Sequence, residues 1–303
     1  MELPPTLELD AVRKTFGDFV AVDAVSFAVP QGSLFGLLGP NGAGKTTVIR
    51  MIMDILAPDR GEVRLRGRPR TRDDLRRIGY LPEERGLYRR MTVTDQLVFL
   101  GELHGVPRRE ATKRAAQWLE RLGLGTWAKA KVEALSKGMQ QKIQIAGTLL
   151  HEPDLLILDE PFSGLDPINQ GVLKEALAEL RERGTTILFS THIMEHAEKL
   201  CDRICLISSG RVVLAGELAA LKRERGGNVY RVRTDGPEAA LEGLPGVAQV
   251  VPKGDGEARL VLTPEADPGE VLAVIIGRTR VREYRSEEPD LETLFIQAVR
   301  DAN

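Results

Sequence analysis

Gly39-Pro-Asn-Gly-Ala-Gly-Lys-Thr-Thr47 combines the residue types that hold a phosphate chain. It fits G-x-x-x-x-G-K-[ST], with Gly39, Gly44, Lys45 and Thr46 in the fixed places. Gly42 and Gly44 let the backbone curl, so that successive N–H groups face one anion. Lys45 reaches the terminal phosphates as a point charge, and the Thr46 hydroxyl can ligate Mg²⁺. A helix beginning here adds its positive end. Asn41 and Thr47 complete the stretch and count with the phosphate-binding candidates.

A second cluster is Leu155-Leu-Ile-Leu-Asp-Glu160, four apolar residues ending in two carboxylates. A central parallel strand reads as a continuous apolar run with its functional groups at the C-terminal end. Asp159 there can hold Mg²⁺, and Glu160 can orient or deprotonate an attacking water. Buried acids without a positive partner are costly, so a bound cation explains them better than a strand cap does. Thr185-Thr-Ile-Leu-Phe-Ser190 is another apolar run, and it delivers Thr191-His192 where such strand ends converge. His104, His151 and His196 have no such placement and read as structural. Ser136, ahead of a helical pattern and next to Lys137-Gly138, reads equally as a plain N-cap or as part of an anion site.

These groups need a frame. Ser33 to Leu38 reads as a short buried strand, and Thr47 to Leu56 as a largely buried helix stopped by Pro58. Leu7 to Val29 alternates and breaks at Gly17-Asp18, which predicts a hairpin. Phe16, just before that turn, either stacks on a base or packs on the sheet; spacing alone favours packing. Thr92–Leu103, capped by Thr92 or Thr94, and Glu110–Leu122, ended by Gly123, are helices of an inserted subdomain over about 88–134. Ser163-Gly-Leu-Asp166 is a tight loop before a helix from about Ile168 to Arg183. The arginines at 60, 64, 66, 68, 70, 72, 76 and 77 read as a solvated face rather than as a surface for anionic lipid or an acidic partner.

At 303 residues with a net charge of −2, the chain gives no whole-chain case for a nucleic-acid partner. The longest apolar run, Val271 to Ile276, is far below the ~20 residues of a membrane span. No basic-then-apolar leader opens it, so secretion is not expected. Cys201 and Cys205, four apart on what reads as one element, are buried small residues rather than metal ligands.

Together these motifs resemble the ATP-binding-cassette (ABC) ATPases, the nucleotide-binding subunits of ABC transporters, from about Leu7 to Leu221. The aromatic loop (Phe16), Walker A (Gly39–Thr47), the Q-loop region (Tyr80–Glu84), the signature (Leu135–Gln140), Walker B (Leu155–Asp159) with Glu160, the D-loop (Ser163–Asp166) and the switch His192 stand in the family's order. The resemblance implies an α/β P-loop core: a parallel sheet with an antiparallel β subdomain and the helical insertion. It implies that Phe16 stacks on adenine and that Lys45 and the loop amides hold phosphates. Thr46 and Asp159, with Glu83, hold Mg²⁺; Glu160 is general base; His192 reads the γ-phosphate. It also implies a head-to-tail dimer, as a homodimer or with a related subunit. In it Ser136 and Gly138, with Asp166 nearby, approach ATP held by the other subunit's Walker A. A separate permease supplies the membrane contact, so the expected location is the cytoplasmic face of the cell membrane.

Two positions depart from the family pattern. The signature reads Leu135-Ser-Lys-Gly-Met139 rather than Leu-Ser-Gly-Gly-Gln, and Glu83 replaces the Q-loop glutamine. Both are similar to the sodium-extrusion and drug-export subgroup, which favours an exporter over a non-transport ABC ATPase such as the iron–sulfur assembly type. The ATPase domain is expected over 1–225. The remainder, 226–303, alternates strands and helices as βαββαβ, with a hairpin signal at Lys253-Gly-Asp-Gly256. This predicts a small α+β, ferredoxin-like unit; the resemblance to the subgroup, where similar extensions occur, implies a regulatory or dimer-supporting role, and a stabilising cap on the ATPase core is an equal reading.

Overall fold

A computed structural model describes residues 4–84, 86–226, 229–236 and 238–301. Alternating apolar positions make β1 (Leu7–Phe16) and β2 (Phe19–Val29), an antiparallel hairpin that turns at Gly17-Asp18 and pairs Phe16 with Phe19. β3 (Leu34–Leu38) is buried along its whole length and runs through the glycine loop into α1 (Lys45–Ile52). Next come β4 (Arg60–Leu65), β5 (Arg68–Pro69), the short α2 (Arg72–Leu75) and β6 (Ile78–Leu81). α3 (Val93–Leu103), α4 (Arg108–Arg121) and α5 (Lys137–Leu149) form the helical layer. They are followed by β7 (Leu155–Asp159), α6 (Pro167–Glu182), β8 (Thr186–Thr191), α7 (Met194–Leu200), β9 (Arg203–Ser208) and β10 (Arg211–Glu217).

β2, β1, β4 and β5 lie in that order in one antiparallel sheet. The main sheet has six strands in the order β10-β9-β3-β8-β7-β6, with parallel pairing from β9 through to β6. Every residue of β7 and β8 is buried, as expected where helices cover both faces. Parallel register sets the C-terminal ends of β3, β7 and β8 side by side, with Leu38 against Thr191 and Asp159 against Ser190. The glycine loop, Asp159-Glu160 and Thr191-His192 therefore leave the sheet at one edge.

Several local outcomes differ from expectation. α1 starts earlier and ends sooner than Thr47–Leu56. Arg70 donates to the carbonyls of Met51 and Ile52 and pairs with Asp54, whose φ of 59° is left-handed. That guanidinium takes up the last carbonyls of α1 and closes it before Pro58 acts. The arginine run is the solvated face expected, with Arg60, Arg66, Arg68, Arg72, Arg76 and Arg77 exposed, and acidic partners pair with several of its charges. Arg66 and Arg77 both pair with Asp154, at 2.6 and 2.7 Å, and Arg68 pairs with Asp74 at 2.7 Å. Cys201 and Cys205 fall on different elements: Cys201 caps α7 and Cys205 lies in β9. The chain turns between them at Asp202, whose amide donates to Leu34 O (3.0 Å) and whose carboxylate accepts from Leu34 N (3.1 Å). Both thiols are free and buried, and burial pushes the Cys205 thiol up to about 12.

The helical layer packs around Val93, Leu97, Ala115, Leu119, Ile143 and Leu150, so its apolar cluster takes in α5, beyond position 134. Thr92 caps α3, accepting from Asp95 N at 3.1 Å. Ser136 caps α5, accepting from Met139 N at 3.3 Å.

The chain divides into two compact units, Met1–Ala215 and Gly216–Asn303, earlier than the expected start at 226. The second contains α8 (Leu218–Gly226), β11 (Val229–Thr234), β12 (Val247–Gly254), β13 (Glu257–Leu262), α9 (Pro268–Arg278), β14 (Val281–Ser286) and α10 (Leu291–Asp301). Its strands lie in the order β12-β13-β11-β14, all antiparallel, around Val232, Leu260, Leu262, Val271 and Ile275. That is the ferredoxin-like order, with a 3₁₀ turn at Glu238–Leu241 where the first helix was expected. The β12–β13 hairpin turns through Asp255 and Gly256, both at positive φ, as a type I′ turn requires. Asn228 and Pro237, at the ends of two expected elements, lie outside the described residues. Among the described residues, no helix is long and apolar enough to cross a membrane.

Candidate active site

A cleft of about 550 Å³ opens at the convergent strand ends. Its floor is the glycine loop. Gly44, at φ 105°, precedes α1, and a Cβ there would stand 2.6 Å from Ala21 O. At Gly42, φ 80°, a Cβ would meet only open space, so the backbone at that point faces the cleft bare. Asn41, Thr46 and Thr47 line the same floor.

Lys45 is buried and donates to the carbonyls of Gly39 (2.8 Å) and Pro40 (3.1 Å). Its ammonium stands 3.8 Å from Glu160 Oε1. Burial lowers its pKa from the ordinary lysine value, and the Glu160, Asp159 and Glu83 carboxylates oppose that shift. A desolvated ammonium facing acids and a bare backbone loop is arranged to receive a polyanion.

Glu160 is the most constrained group in the cleft. Its backbone is left-handed, with φ 49°, a conformation costing a non-glycine residue about 1–3 kcal/mol. Its amide donates to Ser190 O at 3.1 Å. Oε1 accepts from His192 N at 3.0 Å and from His192 Nδ1 at 2.8 Å, and Oε2 accepts from Thr191 Oγ1 at 3.2 Å. Donation from Nδ1 leaves His192 Nε2 as the ring nitrogen available to a phosphate. A carboxylate gripped in this way has its orientation fixed before any water arrives.

Asp159 is almost wholly buried; Oδ1 accepts from the Ser190 hydroxyl, while Oδ2 is buried without a partner. An orphaned buried acceptor costs about 1–3 kcal/mol, more when charged. A strand cap would satisfy that oxygen, so its vacancy fits a hard cation bound through oxygen. Thr46 and Glu83, which line the cleft, supply further oxygen donors. Bound there, Mg²⁺ would neutralise charge on phosphate oxygens.

Phe16 and Phe19 stand at the rim, 49% and 65% exposed. Phe16 therefore does not pack into the sheet, the reading that spacing favoured. Phe19 escaped the sequence reading; the signal was its pairing with Phe16 across a two-residue turn. Ring stacking on a base is worth about 1–3 kcal/mol. Phe16→Ala is expected to weaken ATP binding about tenfold, while Phe16→Trp keeps it. A fluorescence titration with an ATP analogue checks this, and equal affinity in Phe16→Ala would remove the stacking role.

The cleft thus assembles Phe16, Asn41, Gly42, Gly44, Lys45, Thr46, Thr47, Glu83, Glu160 and His192, with Gly39 and Asp159 bonded just behind it. Ser136, Gly138 and Asp166 do not line it. Ser136 caps α5, Asp166 caps α6 by accepting from Asn169 N at 2.9 Å, and the space beside Gly138 is bounded by Asn169.

Residues 22–163 match the ABC transporter family model, and residues 216–299 match the C-terminal domain of DrrA1-3-like ATP-binding proteins. An uncharacterised ABC transporter ATP-binding protein of Bacillus subtilis, YhaQ, is 45% identical over 293 residues, spanning 97% of this chain and 98% of its own. The Nod factor export ATP-binding protein I of Sinorhizobium fredii is 38% identical over 295 residues, 96% of this chain and 85% of its own. A solved ATP-binding subunit of an ABC transporter superposes with a TM-score of 0.68 at 33% identity, covering 72% of this chain and 92% of that one.

Proposed function

The chain belongs to the ABC transporter ATP-binding proteins, and from that premise we propose that it hydrolyses ATP to drive export through a separate membrane-spanning chain. The observation that carries the reading is the grip on Glu160, held between Lys45 and His192 at the end of β7. Lys45 and the loop amides hold the phosphates of ATP. Thr46, Asp159 and Glu83 hold Mg²⁺. Glu160 accepts the proton of the attacking water, and His192 contacts the γ-phosphate. Catalysis is then mainly positioning and charge neutralisation.

Ser136, Gly138 and Asp166 lie outside the cleft, which supports a site completed by a second ATP-binding subunit. In a head-to-tail pair the N-terminus of α5 would present Ser136 and Gly138 to the γ-phosphate held by the other subunit. The Sinorhizobium fredii relative is a Nod factor export ATP-binding protein, which together with Lys137 and Glu83 favours export. The paired permease places the chain at the cytoplasmic face of the membrane.

The test is affinity purification of the tagged full chain from detergent-solubilised membranes of its own cells. A multi-span partner is expected at a fixed ratio, and its addition should raise ATP turnover. Recovery in the soluble fraction alone, with an iron–sulfur assembly protein as the constant companion, would overturn the transport reading.

A further inference from the structure

We propose that Gln144 and Gln96 are positioning residues that hold Pro82, Glu84 and Tyr88 in place and so keep Glu83 in the nucleotide cleft. The proposal rests on the reading of Glu83 as a metal-facing carboxylate.

Gln96 on α3 is fully buried, and Gln144 on α5 is 5% exposed. Their neighbours in the helical layer are apolar, among them Val93, Leu97, Ile143 and Ala146. Gln144 Nε2 donates to Pro82 O at 3.4 Å and to Glu84 O at 3.3 Å, the two carbonyls that flank Glu83. Gln96 Oε1 accepts from Tyr88 N at 2.7 Å, on the C-terminal side of Glu83. Two carbonyl acceptors fix which end of the Gln144 amide faces the loop.

Each amide engages the loop with one end only. Gln144 Oε1 and Gln96 Nε2 are buried without partners. An apolar side chain at either position would avoid that cost, so the folded state carries it for the loop contact.

Helix packing brings both amides to the loop. A Cβ on Gly147 would stand 2.3 Å from Leu100 Cδ1, so α5 approaches α3 as only glycine allows. Leu100 lies one turn beyond Gln96, and Gly147 just under one turn beyond Gln144. Thr148, one turn past Gln144, donates from Oγ1 to Tyr80 O at 3.4 Å. The same face of α5 therefore follows the chain from the end of β6 into the Glu83 segment, and Glu83 sits in the cleft because the helical layer grips its neighbours on both sides.

The experiment uses the full chain carrying Gln144→Met, which keeps the side-chain length and removes the amide. Mn²⁺ binding is measured by electron paramagnetic resonance with a non-hydrolysed ATP analogue bound. The Mg²⁺ midpoint of ATP hydrolysis and the melting temperature are recorded alongside. Metal affinity is expected to fall about tenfold, with turnover at saturating Mg²⁺ nearly unchanged and melting temperature equal or higher. Gln96→Met acts on the C-terminal side of Glu83 and should give the same shift; it carries the test if Gln144→Met does not fold. Glu83→Ala is the reference, and adding Gln144→Met to it should weaken metal binding no further. If Glu83→Ala weakens metal binding and neither glutamine variant does, the clamp is overturned and the Glu83 reading stands. If Glu83→Ala leaves metal affinity unchanged, the Glu83 reading falls and the clamp falls with it. An additive double variant also overturns the clamp.

Discussion

Glu160→Gln is expected to bind ATP as tightly as the parent and to lose steady-state hydrolysis by a factor of about 10²–10⁴, the usual contribution of a general base. The amide keeps the shape of the side chain and one carbonyl oxygen, so His192 Nδ1 and N retain their acceptor at Oε1. What disappears is the basicity needed to take a proton from water. The negative charge 3.8 Å from Lys45 also disappears, which makes the cleft more attractive to a polyanion rather than less. Turnover and binding should therefore separate. The check is a coupled phosphate-release assay beside an equilibrium titration with labelled ATP. Unchanged turnover would remove Glu160 as the base, and a parallel loss of binding would make its role structural.

Lys45→Ala is expected to weaken ATP binding by about two orders of magnitude. A hydrogen bond to a charged group contributes about 1.5–3 kcal/mol, and 1.4 kcal/mol is a factor of ten. Hydrolysis should fall at least as far. Lys45→Arg should not restore it. The ammonium sits within 3.1 Å of the Gly39 and Pro40 carbonyls, in a space sized for a compact head group rather than a planar fork. Calorimetric titration on protein whose circular dichroism matches the parent checks this. Undiminished affinity in the folded Lys45→Ala protein would refute the phosphate role.

Much of this site could be read from sequence because its parts are local. Gly39 to Thr47, Leu155 to Glu160 and Thr185 to His192 each carry a strand and its functional residues within a few positions, and parallel pairing brings them to one edge. What escaped depends on partners distant in sequence. Arg70 closes α1 from across a loop, and no window around Leu56 contains that information. Ser190 meets Asp159 only through the β7–β8 register. The left-handed backbone of Glu160 has no residue-type signal, since glutamate is not a residue that favours positive φ. Spacing alone favours packing for Phe16 and the family resemblance favours stacking; its 49% exposure at the rim is at odds with packing. In the second unit Lys253-Gly-Asp-Gly256 signals the hairpin locally, whereas Glu238–Leu241 is too short for periodicity to tell a 3₁₀ turn from a helix.

We propose that ATP at the glycine loop occupies half of a site whose other half belongs to a second subunit. It is tested most directly by light scattering on the full-length Glu160→Gln protein, in which bound ATP persists. With saturating Mg²⁺ and ATP the mass should double from that of one 33.4 kDa chain, and with ADP it should return to the single-chain value. A mass that stays at one chain while ATP is bound, or a dimer indifferent to nucleotide, would contradict the account.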